Sequence, residues 1–301
     1  MRNRYIYMEK ENEIIPFVNK IFLADSLTKL KELPENSVDL IFADPPYNIG
    51  KKFGENNGDK LAKEEYLVWC KRWIDECMRI LKSTGTFYFM SSTQMIPHLD
   101  VYVSEKHFVI SRIVWYYDSS GVQAKNYFGS LYEPILMVGK DKEKYTFYSE
   151  SVMVEAKTGA KRKLIDYRKN PPQPYNIEKV MGNVWYIPRV RFKMDEYENH
   201  PTQKPEKLIE NIILASSKEG DIVLDPFSGS FTTCAVAKKL KRRFIGIELE
   251  EEFFKIGLRR LGLANTYKGE TLIKIKERKT NNTSKKDHKE IENDILLYPK
   301  G

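Results

Sequence analysis

SVDLIFADPPY, residues 37–47, reads as a strand of the fully buried kind that stops abruptly at two prolines. IFLAD (residues 21–25) before it is another short apolar run, and SLTKLKELP (26–34) between them carries helical spacing. Together they predict a βαβ-like unit. Helical periodicity returns from Glu64 to Leu81 through Leu67, Trp69, Trp73, Ile74, Cys77 and Ile80, and TFYFMS (86–91) follows the turn STG as a strand. HFVISRIVWYY (107–117) and LYEPILMVGK (131–140) predict two more strands, joined by a Gly-, Ser- and Asn-rich loop.

From Glu155 to Met194 the periodicity dissolves. Ten Lys or Arg stand against three acids there, interleaved with Tyr167, Tyr175, Trp185, Tyr186 and Phe192, and the segment reads as a separate inserted module. The βαβ pattern then resumes with the amphipathic helix PEKLIENIILASSK (205–218), the strand DIVLDPF (221–227), the helix TTCAVAKKL (232–240), the strand RRFIGIELE (242–250) and the helix EEFFKIGLRRL (251–261). Beyond about Thr266, segments such as KERKTNNTSKKDHKE predict a mobile tail, because they bury too little apolar surface to order themselves.

At 301 residues, with 41% hydrophobic and 31% charged residues, the composition is that of a globular protein and excludes collagenous, mucin-like and wholly disordered classes. No apolar run approaches a bilayer span and the first residues lack a secretory pattern, so a cytoplasmic location is expected, with no membrane partner. Cys70, Cys77 and Cys234, an odd number without CxxC spacing, argue against a disulfide framework and a zinc site, so no metal is expected. A net charge of +8 makes nucleic acid the first partner to test, against the plain alternative of a solvated basic surface.

Three segments carry chemistry. Asp44-Pro45-Pro46-Tyr47 ends a strand, where open α/β sheets put ligands. Its prolines offer no N–H, so the Pro45 carbonyl stands as a rigid acceptor beside the Asp44 carboxylate. An exocyclic amino group has two N–H donors and a lone pair delocalised into its ring. Accepting both N–H bonds frees that lone pair for attack on an electrophilic methyl, and the Tyr47 ring can stack on the base. Asp225-Pro226-Phe227-Ser228-Gly229-Ser230 ends a second strand and opens a helix, the form of a nucleotide-cofactor turn, although one glycine is too few for a dinucleotide fingerprint. Glu248 ends the next strand, placed to accept from ribose hydroxyls, and Asp25 is placed to accept from an adenine amino group. His200-Pro201-Thr202-Gln203-Lys204-Pro205 precedes a helix; Thr202 and Lys204 could meet the carboxylate of an amino-acid cofactor, the plain alternative being a helix start with a solvated lysine.

These segments, in this order, resemble the β-class amino-methyltransferases of DNA, from about Phe22 to Leu261. SRIVWYYDSSGVQAKN, LIDYRKNPPQPYN and MDEYENHPTQKPE are similar to YhdJ-type orphan adenine-N6 enzymes. The resemblance implies an α/β, Rossmann-like S-adenosylmethionine-dependent methyltransferase fold, a doubly wound mixed sheet with an inserted basic target-recognition region. It divides the chain into a catalytic half (1–140), a target-recognition region (141–199), a cofactor-binding half (200–265) and the tail (266–301).

It also implies that Asp44, Pro45, Pro46 and Tyr47 hold a flipped base, while Asp25, Thr202, Lys204, Asp225, Phe227, Ser228, Gly229, Ser230 and Glu248 surround S-adenosyl-L-methionine. The class usually has a second glycine where Ser230 stands; a serine with φ below zero fits such a turn. Lys157, Lys161, Arg162, Lys163, Arg168 and Lys169 are the candidates for phosphate contacts on double-stranded DNA, and Arg189 and Arg191 for base edges. A homodimer and a cognate restriction enzyme are compatible with the resemblance and not required by it. Asp44 favours adenine over cytosine N4. A DNA-binding regulator without catalysis and a nicotinamide oxidoreductase are the rival classes, separable by methyl transfer to DNA and by cofactor-induced thermal shifts.

Overall fold

The computed structural model describes residues 12–51, 60–118, 125–157 and 162–263. In chain order the elements are β1 (Lys20–Leu23), α1 (Ser26–Glu32), β2 (Val38–Ala43), α2 (Lys63–Ile80), β3 (Leu81–Met90), α3 (Ile96–Lys106), β4 (Phe108–Tyr116) and β5 (Tyr132–Gly139). The short strands β6 (Met153–Glu155), β7 (Ile165–Asp166), β8 (Gln173–Pro174), β9 (Glu178–Val180) and β10 (Val184–Tyr186) follow. The chain then forms α4 (Glu206–Ser216), β11 (Ile222–Asp225), α5 (Thr232–Lys239), β12 (Arg243–Glu248) and α6 (Glu251–Arg260).

Eight of the strands form one sheet in the order β1-β12-β11-β2-β3-β5-β4-β10. Every pair runs parallel except the two made by β5, so the doubly wound mixed sheet is observed. Residues of β2 explain why that strand has no polar face. Leu40 and Phe42 pack into one layer with Leu208, Ile212 and Phe254 from α4 and α6, while Ile41 and Ala43 pack into the other with Leu30, Trp73 and Leu99 from α1, α2 and α3. Helices cover both faces, and each fully buried large apolar side chain contributes roughly 1.5–3 kcal/mol.

Helix α2 illustrates how sequence makes an element. Tyr66, Cys70, Trp73, Ile74 and Cys77 share one buried stripe at helical spacing, with Glu64 and Glu65 in the first turn and Arg79 in the last to complement the dipole. The three cysteines are buried and free, and burial pushes their thiols up, that of Cys70 to about 12.

The basic segment is not the wholly separate module its composition suggests. Near its start β6 pairs with β9 and β7 with β8, but Val184–Tyr186 lies in register on β4 as the eighth strand of the main sheet. Trp185 and Ile187 are buried in the main core, and the Trp115 indole donates to the Ile187 carbonyl at 2.8 Å. Helix α3, with Pro97 in its first turn, is a further element that the sequence pattern does not announce. The expected mobile tail lies outside the described residues. No described helix is long and apolar enough to cross a membrane.

Candidate active site

Neighbouring parallel strands β2 and β11 end in the two proline-bearing motifs, so Asp44-Pro45-Pro46-Tyr47 and Asp225-Pro226-Phe227 emerge side by side. A cleft of about 330 Å³ runs along these strand ends. Asp25, Phe227, Gly229 and Glu248 line one end, and Asp44, Tyr47, Trp115 and Glu133 the other.

The turn after β11 is fastened to β12. Ser228 N–H donates to the Ile247 carbonyl at 2.9 Å, Ile247 N–H donates back to Ser228 Oγ at 3.1 Å, and Gly229 N–H donates to Glu248 Oε2 at 2.7 Å. Gly229 adopts φ +51°, and a Cβ there would lie 2.9 Å from the His200 imidazole, so this position needs glycine on two counts. Phe231, at φ +58°, is the other left-handed residue of the turn, and Ser230 is not among the positive-φ residues. That is why serine serves where a second glycine is usual. Ser230 Oγ bonds to Thr232 at the start of α5. The Phe227 ring lies 5.4 and 5.6 Å from the rings of Trp73 and Trp69, which fixes it as a wall of the cleft.

Burial raises two carboxyls here, Asp225 and Glu248, each to about 7; the hydrogen bonds from Phe227 and Gly229 oppose the shift without cancelling it. Asp25 is exposed and caps α1, accepting from Thr28 N–H at 2.8 Å. Thr202 is half-buried in the cleft wall. His200 packs edge-on to Phe253 at 4.3 Å between centroids, and burial pulls its imidazole down to about 3, so it stays neutral.

At the other end, Asp44 Oδ1 accepts from the Tyr47 hydroxyl at 2.7 Å and Asp44 Oδ2 pairs with Lys204 Nζ at 2.7 Å. Lys204 was expected on the cofactor side. It lines the cleft buried against Asp44, 3.4 Å from Glu133 and 5.3 Å from the centre of the Tyr47 ring. Burial raises the Asp44 carboxyl, and Lys204 offsets only part of that rise. Burial also disfavours the Lys204 ammonium, but Asp44 and Glu133 more than offset it and its pKa lies above the ordinary lysine value. The Tyr66 hydroxyl donates to the Pro46 carbonyl at 2.9 Å, committing that oxygen to the scaffold, while Pro45 lines the cleft.

Glu133 was missed in the sequence, where it is one acid inside an apolar strand. Register pairs it with Trp115, and both line the cleft. Arg189, half-buried, also lines the cleft and lies over the Tyr117 ring at 5.1 Å. Of the other basic candidates, Lys157, Arg162, Lys163, Arg168 and Arg191 are exposed and Lys169 is half-buried. Arg168 is engaged by Asp166 at 2.8 Å and Arg191 approaches Asp118 at 3.5 Å. Lys161 lies outside the described residues.

A DNA methylase family model matches residues 38–259. The chain is 56% identical over 277 residues to the DNA adenine methyltransferase YhdJ of Escherichia coli K12, covering 92% of this chain and 94% of that protein. It is 36% identical over 250 residues to the type II methyltransferase M.HpaI of Haemophilus parainfluenzae, covering 80% and 74%. The crystal structure of the M1.HpyAVI–SAM complex superposes with a TM-score of 0.54 at 27% identity, covering 80% of this chain and 98% of that one. The cytosine-N4-specific PvuII DNA methyltransferase shares the fold at a TM-score of 0.58 and 19% identity, covering 81% and 92%.

Proposed function

The chain belongs to the DNA methylase family, and on that premise we propose that it transfers a methyl group from S-adenosylmethionine to N6 of adenine in a short site of duplex DNA. The observation that carries this reading is the single cleft in which a buried Asp-Pro-Pro-Tyr acceptor site and a glycine turn with buried acids face each other. The 56% identity to an adenine enzyme supports N6 over cytosine N4.

The residues at the turn end fit the cofactor: carboxylates at the ends of β1 and β12 suit hydroxyl and amino donors, and the Phe227 wall suits a flat heterocycle. In this reading Asp25, Phe227, Ser228, Gly229, Glu248 and Thr202 hold it, with Asp225 and Ser230 shaping the turn. Bound S-adenosylmethionine supplies a methyl group already activated by its sulfonium.

The protein's part is placement and electrostatics. Asp44 and the Pro45 carbonyl accept the two N–H bonds of the target amino group, which localises its lone pair towards the methyl carbon. A carboxylate offers about four lone-pair sites, so Asp44 can take an amino N–H while Lys204 and Tyr47 remain bound to it. Lys204 favours the ionised form of Asp44, the stronger acceptor. The adenine leaves the duplex at a cost of a few kcal/mol, offset by phosphate contacts from the basic segment between β5 and α4, which serves as the target-recognition region between the catalytic and cofactor halves. A cytoplasmic location, where duplex DNA is accessible, belongs to the same reading.

The test is transfer of labelled methyl to unmethylated plasmid DNA, followed by digestion to nucleosides. N6-methyl-2′-deoxyadenosine is the expected product, and Asp44→Ala should abolish its formation while the cofactor still raises the melting temperature. Label in N4-methyl-2′-deoxycytidine would overturn the choice of base, and transfer by Asp44→Ala would overturn the role of Asp44.

A further inference from the structure

Stacking on a flipped base requires only the ring of Tyr47, yet its hydroxyl is held between two acids. It lies 2.7 Å from Asp44 Oδ1 and 3.0 Å from Glu133 Oε2. A phenol has one proton to donate, so the hydroxyl serves one carboxylate at a time. The two acids are unequally supplied. Asp44 has short contacts from Tyr47 and Lys204, both at 2.7 Å. Beyond the Tyr47 hydroxyl, Glu133 has the Tyr117 hydroxyl at 3.4 Å and the Lys204 ammonium at 3.4 Å. Lys51 and Arg189 line the same end of the cleft. This is the geometry of a hydroxyl that passes protons from one carboxylate to another.

Methylation of an amino group generates such a proton, and the inference rests on the methyl-transfer reading given above. As the N6 lone pair forms the new N–C bond, the electrons of the breaking C–S bond go to sulfur, and N6 is left positively charged with a proton to lose. Asp44 is the acceptor in contact with that nitrogen. A protonated Asp44 has lost the charge that pairs it with Lys204 and accepts more weakly, so the proton is passed on before another turnover.

We propose that Glu133 is the terminal acceptor of the proton released from the target amino group, reached from Asp44 through the Tyr47 hydroxyl. Asp44 O–H delivers its proton to Tyr47 Oη while the Tyr47 proton passes to Glu133 Oε2, and the tyrosine ends neutral as it began. The shift leaves the net charge of the group unchanged, and Lys204, within reach of both acids, stays beside whichever carboxylate is ionised. Glu133 acts through Tyr47 and is therefore a positioning residue for the proton, not a contact of the reacting atoms.

The experiment is multiple-turnover transfer of labelled methyl to an excess of unmethylated plasmid DNA, reading the rate of the turnovers after the first and comparing wild type, Tyr47→Phe, Glu133→Gln and the double variant in mixtures of H2O and D2O. Each single variant should lose at least about tenfold in rate, the low side of what a positioned acid or base supplies. The double variant should lose no more than the worse single, because both changes cut one route. The dependence of rate on deuterium fraction should be curved for wild type, with two protons in flight, and straight for Tyr47→Phe. A loss under about tenfold, losses that multiply, or curvature surviving in Tyr47→Phe would each overturn the relay. Cofactor-induced stabilisation reports folding; should Glu133→Gln fail to fold, Tyr47→Phe and its deuterium dependence decide alone. Wild type that transfers no methyl to DNA would instead refute the function on which the relay rests.

Discussion

Replacing Lys204 by methionine separates the observed arrangement from the one its sequence position suggests. The ammonium lies 2.7 Å from Asp44 Oδ2, with the two side chains only 8% and 15% exposed. At an effective dielectric near 20 the Coulomb attraction at that distance is about 6 kcal/mol, and loss of one partner from such a buried pair costs roughly 3–5 kcal/mol after desolvation is counted. Asp44 sheds part of that penalty by protonating. Its carboxyl, already raised by burial, loses the main influence holding it down and moves further up. A neutral Asp44 cannot accept both from the amino group and from its neighbours, so about 3 kcal/mol should appear as a roughly hundredfold slower single-turnover transfer at pH 7. The sign is definite: a raised carboxyl is ionised only at higher pH, so the variant's rate should rise with pH through a higher midpoint than that of wild type. Lys204→Arg, which keeps the charge, should lose less. The assay is labelled methyl transfer across pH, with cofactor affinity measured in parallel. A variant with a flat pH profile and normal rate at saturating cofactor, but weakened cofactor affinity, would refute the reasoning and return Lys204 to the cofactor carboxylate.

Gly229→Ala should cost about 1–3 kcal/mol of stability from the left-handed backbone and the 2.9 Å approach to His200, and should shrink the cofactor-induced rise in melting temperature; calorimetry reads both. Glu248 has its folded pKa raised to about 7, so its favourable contribution is complete at acid pH and is lost as pH rises through 7. Glu248→Gln should therefore flatten the fall in unliganded stability between pH 5 and 8 by about 3 kcal/mol at most, measured by urea unfolding. Burial holds the His200 imidazole near 3, so its contribution is present above about 6.5 and lost on acidification towards that value; His200→Gln should lessen acid destabilisation over this range. Changing Lys157, Arg162, Lys163 and Lys169 together to glutamine should weaken DNA binding and reduce the salt slope by about 0.9 for each phosphate left without its cation. An unchanged slope would remove the basic segment from the DNA interface.

Local signals carried most of the architecture. Val38–Ala43 is legible because a strand covered on both faces cannot hide its apolar run, and α2 and α4 because their buried positions recur at helical spacing. Both proline-bearing motifs were legible as strand ends for the same reason. Val184–Tyr186 was not: three residues carry no period, and what makes them a strand is β4, some seventy residues away. The contact of Lys204 with Asp44 was equally hidden, since only the tertiary approach of residue 204 to the end of β2 makes it. Glu133 became visible through cross-strand register alone, which turns one acid of an apolar strand towards Trp115 and the cleft.

The pairing of β6 with β9 brings the two ends of the basic excursion together, with Ala156 N–H donating to the Ile177 carbonyl at 2.8 Å, while β10 and Arg189 remain built into the sheet and the cleft. The flanks of the stretch between Ala156 and Ile177 thus abut. Grafting that stretch from a relative should alter DNA affinity and its salt dependence without disturbing the chemistry, since the phosphate candidates lie within it and the base-edge candidates Arg189 and Arg191 outside it. A splice placed after Arg189 would carry Trp185 and Arg189 away with it and disturb both the sheet and the cleft.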